Sequence, residues 1–234
     1  MILPKRCYLT NLGIVAMLIF TASPSRASLI QVSSVAGLLT VNDSINWAAL
    51  GADLTPLSPP VAVTTTAGRA ATLTGSTAFT LFSGSTYNAD FLPGNLVVSA
   101  YDLNNGPLST GIRILLPFLV NGLGTQIQAN TFGAFSGTLQ AFDANSVSLG
   151  TVSVSSSVLG NGDGSAVFLG AYSTGSAIGS VLFTSNIAGV AINNVALGAI
   201  PEPSTIYLAL SAIVAFSVRR KAAKNAAENA GMAA

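Results

Sequence analysis

Short runs in which apolar and small polar residues alternate are the feature that most constrains the fold of residues 28–200. Residues 152–155 (VSVS) and 135–139 (FSGTL) show this alternation, and residues 181–183 and 195–197 form further short apolar runs. Successive side chains of a β-strand point to opposite faces, so a period of two predicts strands that bury one face. No window outside the two termini shows sustained helical periodicity. The pattern therefore predicts an all-β domain.

Turn-forming residues separate these runs. They occur at 104–107 (NNGP), 143–145 (DAN) and 161–164 (NGDG), where Gly, Pro, Asn and Asp favour tight turns. Many short strands joined by such turns are typical of a β-sandwich or a jelly roll. Residues 28–200 are enough for one domain with a substantial core, and residues 44–50 are its one candidate for a short helical turn.

The residue types that are missing restrict the chemistry of this domain. The chain has no His and a single cysteine, Cys7, and residues 28–200 contain no Lys or Glu either. Ser-His-Asp, Cys-His and Ser-Lys arrangements are therefore excluded, as are zinc sites built from His and Cys. The domain carries two Arg and six Asp, a net charge of −4 that disfavours nucleic acid as a partner. We predict no catalytic residues and no enzyme activity.

The aspartates leave two kinds of site open. Two carboxylates brought together by the fold would serve a glycosidase, and the candidates are Asp43, Asp53, Asp90 and Asp102. Calcium is the second option, because it accepts carboxylate and carbonyl oxygens. Asx pairs that could contribute such oxygens lie at 102–104, 143–145 and 161–163. The same pairs close turns through their own side chains, so we assign no metal ligands and no cofactor, with a structural calcium ion as the alternative.

Aromatic residues of the domain suggest a sugar-binding surface. An exposed Trp or Tyr ring can stack on a sugar ring, and the candidates are Trp47, Tyr87, Tyr101 and Tyr172. Aromatic side chains near strand ends also pack into the core or at its rim. Sugar binding predicts a concave face with two or three exposed aromatic rings and polar neighbours, whereas a purely structural role predicts buried rings.

Residues 1–27 have the three parts of a secretory signal peptide. Lys5 and Arg6 supply the positive region, and Leu12–Phe20 supply the core of the apolar region. Small residues precede the junction between Ala27 and Ser28, where we predict cleavage by signal peptidase. The alternative is a short N-terminal anchor that stays uncleaved.

Residues 201–221 combine a short motif, an apolar run and a basic cluster. The motif is Pro201, Glu202 and Pro203, and the apolar run extends from Ile206 to Val218. As a helix this run would be about 20 Å long, shorter than a hydrocarbon core of about 30 Å. The run predicts a short transmembrane helix whose cytoplasmic end is marked by basic residues. These basic residues are Arg219, Arg220 and Lys221.

This arrangement resembles the tripartite sorting signal of the PEP-CTERM family. The resemblance implies that exosortase, an integral-membrane transpeptidase-like enzyme, recognises Pro201, Glu202 and Pro203. It also implies that 206–218 lie transiently in the inner membrane, and that the basic cluster stops transfer. The Ala-rich tail at 222–234 is longer than such signals usually have. An ordinary tail anchor is the alternative.

A weaker resemblance runs along the domain itself. The segments that are similar to a domain found in many PEP-CTERM exported proteins are 91–94, 112–118, 122–128, 135–142, 168–170, 178–183 and 191–195. Those relatives usually read Ile-Asp-Asn or Ile-Asp-Asp where this chain has Asn193. The resemblance implies a jelly-roll-like β-sandwich, related in shape to carbohydrate-binding modules, and no established activity.

These observations predict four parts: a signal peptide (1–27), a β-sandwich domain (28–200), a sorting signal (201–221) and the tail (222–234). The jelly-roll-like domain would be flanked by a signal helix and a transmembrane helix. We expect a secreted or cell-surface protein that binds or organises extracellular polysaccharide without catalysis. A structural or adhesive envelope protein that contacts other proteins is the alternative, and an Asp-dependent glycoside hydrolase is a distant third.

Overall fold

A computed structural model describes residues 28–87 and 89–200. The signal peptide, its junction at Ala27, the sorting signal, the transmembrane helix and the tail therefore lie outside the described residues. Within the described part of the chain, no helix is long and apolar enough to cross a membrane.

Antiparallel β-strands make up almost all of the regular structure of the described residues, which confirms the all-β prediction. Two 3₁₀-helices, Val35–Gly37 and Trp47–Leu50, complete the regular structure, and the second lies within the predicted helical turn. The strands are β1 Leu29–Val32, β2 Asp43–Ile45, β3 Thr55–Leu57, β4 Val61–Thr64, β5 Ala70–Thr74, β6 Phe79–Ser83, β7 Leu96–Ser99, β8 Tyr101–Asp102, β9 Gly106–Pro107, β10 Ile112–Gln128, β11 Gly133–Phe142, β12 Ser148–Val158, β13 Phe168–Ser173, β14 Ile178–Ser185, β15 Ala191–Ile192 and β16 Val195–Ala199.

Strand β10, which is 17 residues long, organises the sheet. β14 and then β13 pair along one edge of β10, and β5, β16 and β15 pair along the other. The outer strands extend this arrangement, with β1 beside β13, β2 beside β16, β4 beside β5, and β11 and β12 beyond β14. β15 continues through β7 and β6 to β3.

A β-bulge at Asn121 reverses which side chains of β10 face the core. The register with β16 shifts between Val120 and Gly122. Even-numbered residues up to Val120 are buried in the core, whereas Leu123 and Ile127 are the core residues after the shift. One extra residue in a strand moves every later side chain to the opposite face. Gly122, Gly124 and Gln126 therefore lie on the outer face of the sheet.

The main core is a single cluster of aliphatic and aromatic side chains. Trp47 is fully buried in it, together with large side chains from β10 and its neighbours such as Leu73, Leu123 and Phe183. A smaller cluster contains Phe82, Tyr87, Phe91 and Val97. Burial of a large aromatic or aliphatic side chain contributes about 1.5–3 kcal/mol, so each such residue of these clusters stabilises the fold.

The segment between β1 and β2 crosses the outer face of β10 and β16. Leu38 is buried there, and its Cδ2 lies 3.3 Å from the position of a Cβ atom on Gly122. The Thr40 carbonyl oxygen lies 2.5 Å from the corresponding position on Gly198. The segment therefore lies directly on strands that carry no side chain at the crossing points, and it forms one wall of the groove described next.

Candidate functional site

A groove of about 340 Å³ lies on the outer face of the sheet, where β13, β10 and β16 run side by side. One wall is formed by Ser33, Ser34 and Val35, and the other by the ring of Phe168. We call this the outer groove. Its floor includes Gly124 and Ala196, which face each other across the β10–β16 pair.

Glycines let two aromatic rings lie against the sheet backbone beside this floor. A Cβ atom on Gly124 would lie 2.5 Å from Cζ of Phe168, and one on Gly170 would lie 2.8 Å from its Cε1. A Cβ atom on Gly122 would lie 3.2 Å from Cδ2 of Tyr172. Phe168 and Tyr172 are both half-buried. Each ring is therefore held by the backbone on one side and keeps part of its surface accessible.

Three amide side chains form the polar end of the outer groove. Gln126 donates through Nε2 to the carbonyl oxygens of Gly164 and Ala166, at 2.8 and 3.0 Å. Its Oε1 accepts a hydrogen bond of 2.9 Å from Nδ2 of Asn193. The backbone N–H of Asn194 donates to Oδ1 of Asn193 at 2.8 Å. These bonds fix both amides in one orientation, which preorganises the end of the groove.

Further polar groups in the groove remain accessible to a ligand. Ser33, Ser34 and Asn194 are exposed, and Ser34 makes no side-chain cap to the following 3₁₀-helix. Asn194 accepts only a long bond of 3.3 Å from the backbone N–H of Trp47. The residues that line the groove carry no charge. The arrangement can therefore stack an apolar ring face and hydrogen-bond an uncharged polar ligand.

None of the four aromatic residues predicted to stack on a ligand lines the outer groove. Tyr172 lies beside it, with its ring over Gly122 on the same outer face. Trp47 is completely buried, and Tyr87 is buried with its hydroxyl donating to the carbonyl oxygen of Gly189 at 2.7 Å. Burial also raises the pKa of Tyr87 well above its ordinary value. Neither ring offers a face to a ligand, because packing in the core covers both sides.

Tyr101 lies away from the outer groove. Its ring meets Phe82 edge to face, with 5.3 Å between the ring centroids. The partly exposed side chain lines a separate cleft of about 270 Å³ together with Asp102 and Asn104. The Asp102 carboxylate accepts bonds from the backbone N–H groups of Asn104 and Asn105, which lower its pKa. The carboxylate therefore closes a turn.

Sequence reasoning missed Phe168, Gln126 and Asn193 as groove residues. A signal for the first was present, because 168, 170 and 172 alternate with the apolar 169 and 171 and so share one strand face. No local pattern identifies Gln126 or Asn193, since their roles depend on contacts between strands that are distant in sequence.

Each of the six aspartates in the domain accepts at least one hydrogen bond from a backbone N–H group. Three of them, Asp102, Asp143 and Asp163, bond to the N–H two residues later, which is an Asx turn. Asp90 is buried and holds the 159–161 segment through the N–H groups of Leu159 and Asn161. The described residues contain no group of three His, Cys, Asp or Glu side chains suited to a metal ion.

Neither a family model nor a curated protein matches the chain. It is similar to the crystal structure of a DUF4465 family protein from Bacteroides caccae ATCC 43185, at 10% identity and a TM-score of 0.29, over 64% of this chain and 98% of that one. It is also similar to the enzymatically active domain of tailspike protein 4 of bacteriophage CBA120, at 11% identity and a TM-score of 0.18. That match covers 76% of this chain and 20% of the tailspike chain. Similarities this distant indicate neither a fold family nor a function.

Proposed function

We propose that the chain is an exported, surface-sorted protein without catalytic activity, and that its outer groove binds extracellular polysaccharide. The observation that carries this proposal is the half-buried Phe168 ring in the groove, with Tyr172 beside it, together with the fixed amides of Gln126 and Asn193. A sugar has apolar ring faces and a rim of hydroxyl groups, which match aromatic and amide groups respectively.

The groove is preorganised for such a ligand. Its glycine floor holds the Phe168 ring in place, and the hydrogen bonds of Gln126 and Asn193 fix the amide end before any ligand arrives. Groups that are already ordered cost less conformational entropy on binding. This ordering favours the binding of a flexible polymer, because the polymer itself loses conformational entropy when it binds.

The absence of catalysis in this proposal is supported by the state of the carboxylates. Glycoside hydrolysis uses two carboxyl groups that flank the scissile bond, and no acidic residue lines the outer groove. The six aspartates of the domain bond to backbone N–H groups and hold turns or neighbouring segments. We assign no cofactor, and any calcium ion would have a structural role.

Sorting to the surface completes the proposal. Signal peptidase would cleave between Ala27 and Ser28, and exosortase would recognise the motif that begins at Pro201. The domain would be a jelly-roll-like β-sandwich between a signal helix and a transmembrane helix. Its predominantly antiparallel strands, described above, are compatible with this architecture.

Affinity electrophoresis against neutral and acidic polysaccharides tests the groove. Phe168→Ala removes a stacking ring and is expected to weaken binding by about tenfold, the equivalent of about 1.4 kcal/mol. Ser34→Phe fills the groove from its wall without touching the core and is expected to abolish binding. The matched control is Ser155→Phe on β12, which is also exposed and lies outside the groove. Equal retardation of both Ser→Phe variants by the polysaccharide would contradict the assignment.

One observation favours the alternative of an envelope protein that contacts other proteins. Among the described residues, β12 pairs only with β11, and one face of β12 carries exposed small hydroxylated side chains such as Ser153, Ser155 and Ser157. An open edge is a template for adding a strand from a second chain. Loss of cell-surface assembly in a Val154→Pro variant, with polysaccharide binding retained, would favour this alternative.

A further inference from the structure

The N-terminal and C-terminal ends of the domain lie at the same level of the sheet, in one row of residues that crosses neighbouring strands. The backbone N–H of Thr174, just after β13, donates to the carbonyl oxygen of Ser28 at 3.1 Å. The backbone N–H of Ile200 donates to the carbonyl oxygen of Leu119 on β10 at 2.9 Å. The strands between them are neighbours in the order β1, β13, β10, β16. Three strand spacings of about 4.8 Å therefore separate the points of entry and exit by about 14 Å.

Exposed apolar side chains surround the point of exit. They are 69% exposed at Leu39, 43% at Val41, 44% at Leu119 and 36% at Ile200. We call these four residues the exit patch. Asn42 fixes the patch to the end of β16 by two bonds to the backbone of Ala199, of 2.9 and 2.8 Å. None of these residues is charged, so the patch is a rigid, neutral and apolar surface.

We infer that the exit patch lies on the outer surface of the inner membrane while the chain is anchored. The inference rests on the proposed anchoring of residues 206–218. Five residues, 201–205, separate the domain from that run, and five fully extended residues span at most about 18 Å. The exit patch is therefore held within that distance of the lipid surface.

The signal peptide strengthens this orientation before it is cleaved. Its apolar core ends at Phe20, so it tethers Ser28, which lies in the same row as Ile200, to the same membrane. Two tethers at one row restrict rotation of the domain and present the same side to the lipid. Apolar side chains without charges enter the interfacial region of a bilayer more readily than charged ones.

The outer groove is separate from this surface. Its amide end at Asn194 precedes β16, whereas Ile200 follows β16, so about 20 Å of strand lies between them. Membrane contact at the exit patch and ligand binding in the outer groove can therefore be measured independently.

Site-directed fluorophores on the full chain test the inference. In a Cys7→Ser background, single cysteines at Leu39→Cys or Leu119→Cys carry an environment-sensitive label. Phe132→Cys and Leu159→Cys are matched controls, because both side chains are apolar, 59% and 64% exposed, and outside the patch. The chain is reconstituted into vesicles of phosphatidylethanolamine and phosphatidylglycerol that contain a headgroup spin label. We expect at least twofold stronger quenching at the two patch positions than at the controls.

The outcomes separate this inference from the proposals on which it depends. Vesicle flotation reports anchoring, and polysaccharide binding reports the groove. Chains that float but show equal quenching at all four positions overturn the exit-patch inference and leave the anchoring proposal intact. Chains that do not float overturn both. Neither result changes the groove assignment, which Ser34→Phe tests on its own.

Discussion

Asp43 is a single residue that joins two distant parts of the domain. Its carboxylate accepts bonds from the hydroxyls of Thr65 and Thr66, at 2.6 and 3.0 Å, and from the backbone N–H of Ala67 at 2.8 Å. Arg69 lies 3.8 Å from the same carboxylate. These donors belong to the turn after β4, whereas Asp43 begins β2. The carboxylate therefore ties β2 to this turn.

We expect Asp43→Asn to lower the free energy of unfolding by about 2 kcal/mol, measured by urea denaturation at neutral pH. The substitution replaces one carboxylate oxygen, an acceptor, by an NH₂ group that faces other donors. Hydrogen bonds to a charged acceptor contribute about 1.5–3 kcal/mol, and these are lost. Asp163→Asn is the control, because that exposed carboxylate bonds to a single backbone N–H within its own turn. An equal loss of unfolding free energy in both variants would show that the hydrogen bonds between Asp43 and the turn after β4 do not stabilise the fold.

The same residue predicts a dependence of stability on pH. Burial opposes ionisation of Asp43, but its bonds to Thr65, Ala67, Ser44 and Thr66 outweigh burial and lower its pKa. A lowered pKa in the folded state stabilises the fold above the unfolded value of about 3.9 and loses that contribution as the pH falls through the folded value. The stability difference between wild type and Asp43→Asn is therefore expected to shrink below about pH 4, as followed by urea denaturation at each pH. A constant difference would contradict this assignment.

At the scale of residues, composition restricts the chemistry of the domain directly. The chain has no His, and residues 28–200 have no Lys or Glu. Composition does not locate an aromatic ring in the fold, as Trp47 and Tyr172 illustrate. Only the packing of distant strands buries the first and leaves the second half-buried on the outer face of the sheet.

At the scale of elements, the predicted runs at 135–139, 152–155, 181–183 and 195–197 all lie within strands. Their partners were not predictable from periodicity, because pairing depends on residues far apart in sequence. The clearest case is β10, where the bulge at Asn121 reverses the buried face in the middle of one strand. A period-two reading of the sequence misses such a reversal unless the register is known.

The packing of β10 against β13 makes a specific prediction. Gly124→Ala is expected to raise the free energy of the folded state by about 1–3 kcal/mol, because the new methyl group would overlap the Phe168 ring. Thermal unfolding measures the effect. Adding Phe168→Ala to this variant is expected to recover part of the loss. Gly94→Ala is the control, since no atom lies within 4 Å of its added Cβ. Equal destabilisation by both single variants would exclude the close contact between ring and backbone.

At the scale of the whole molecule, the domain places its two proposed surfaces at opposite ends of β16. The exit patch lies where the chain continues toward its C-terminus, and the amide end of the outer groove, at Asn194, lies about 20 Å away along the strand. Polysaccharide bound in the groove would therefore not have to compete with the lipid surface for the same residues. A protein that is anchored first and released later would keep the same groove in both states, because the strands β10 and β16 hold the groove residues in place and the membrane anchor does not.

The proposed sorting by exosortase predicts a defined mature protein. Its intact mass, measured on material recovered outside the cell, is expected to correspond to a chain that starts at Ser28 and ends between Pro201 and Pro203. Glu202→Ala is expected to prevent this species from forming, because exosortase would no longer recognise the motif, whereas Ser204→Ala is the neighbouring control. The same species should be missing from a strain without exosortase. A chain that retains residues 206–234 in every strain would instead identify a permanent tail anchor, in which the exit patch would remain on the membrane and only the groove would face the surroundings.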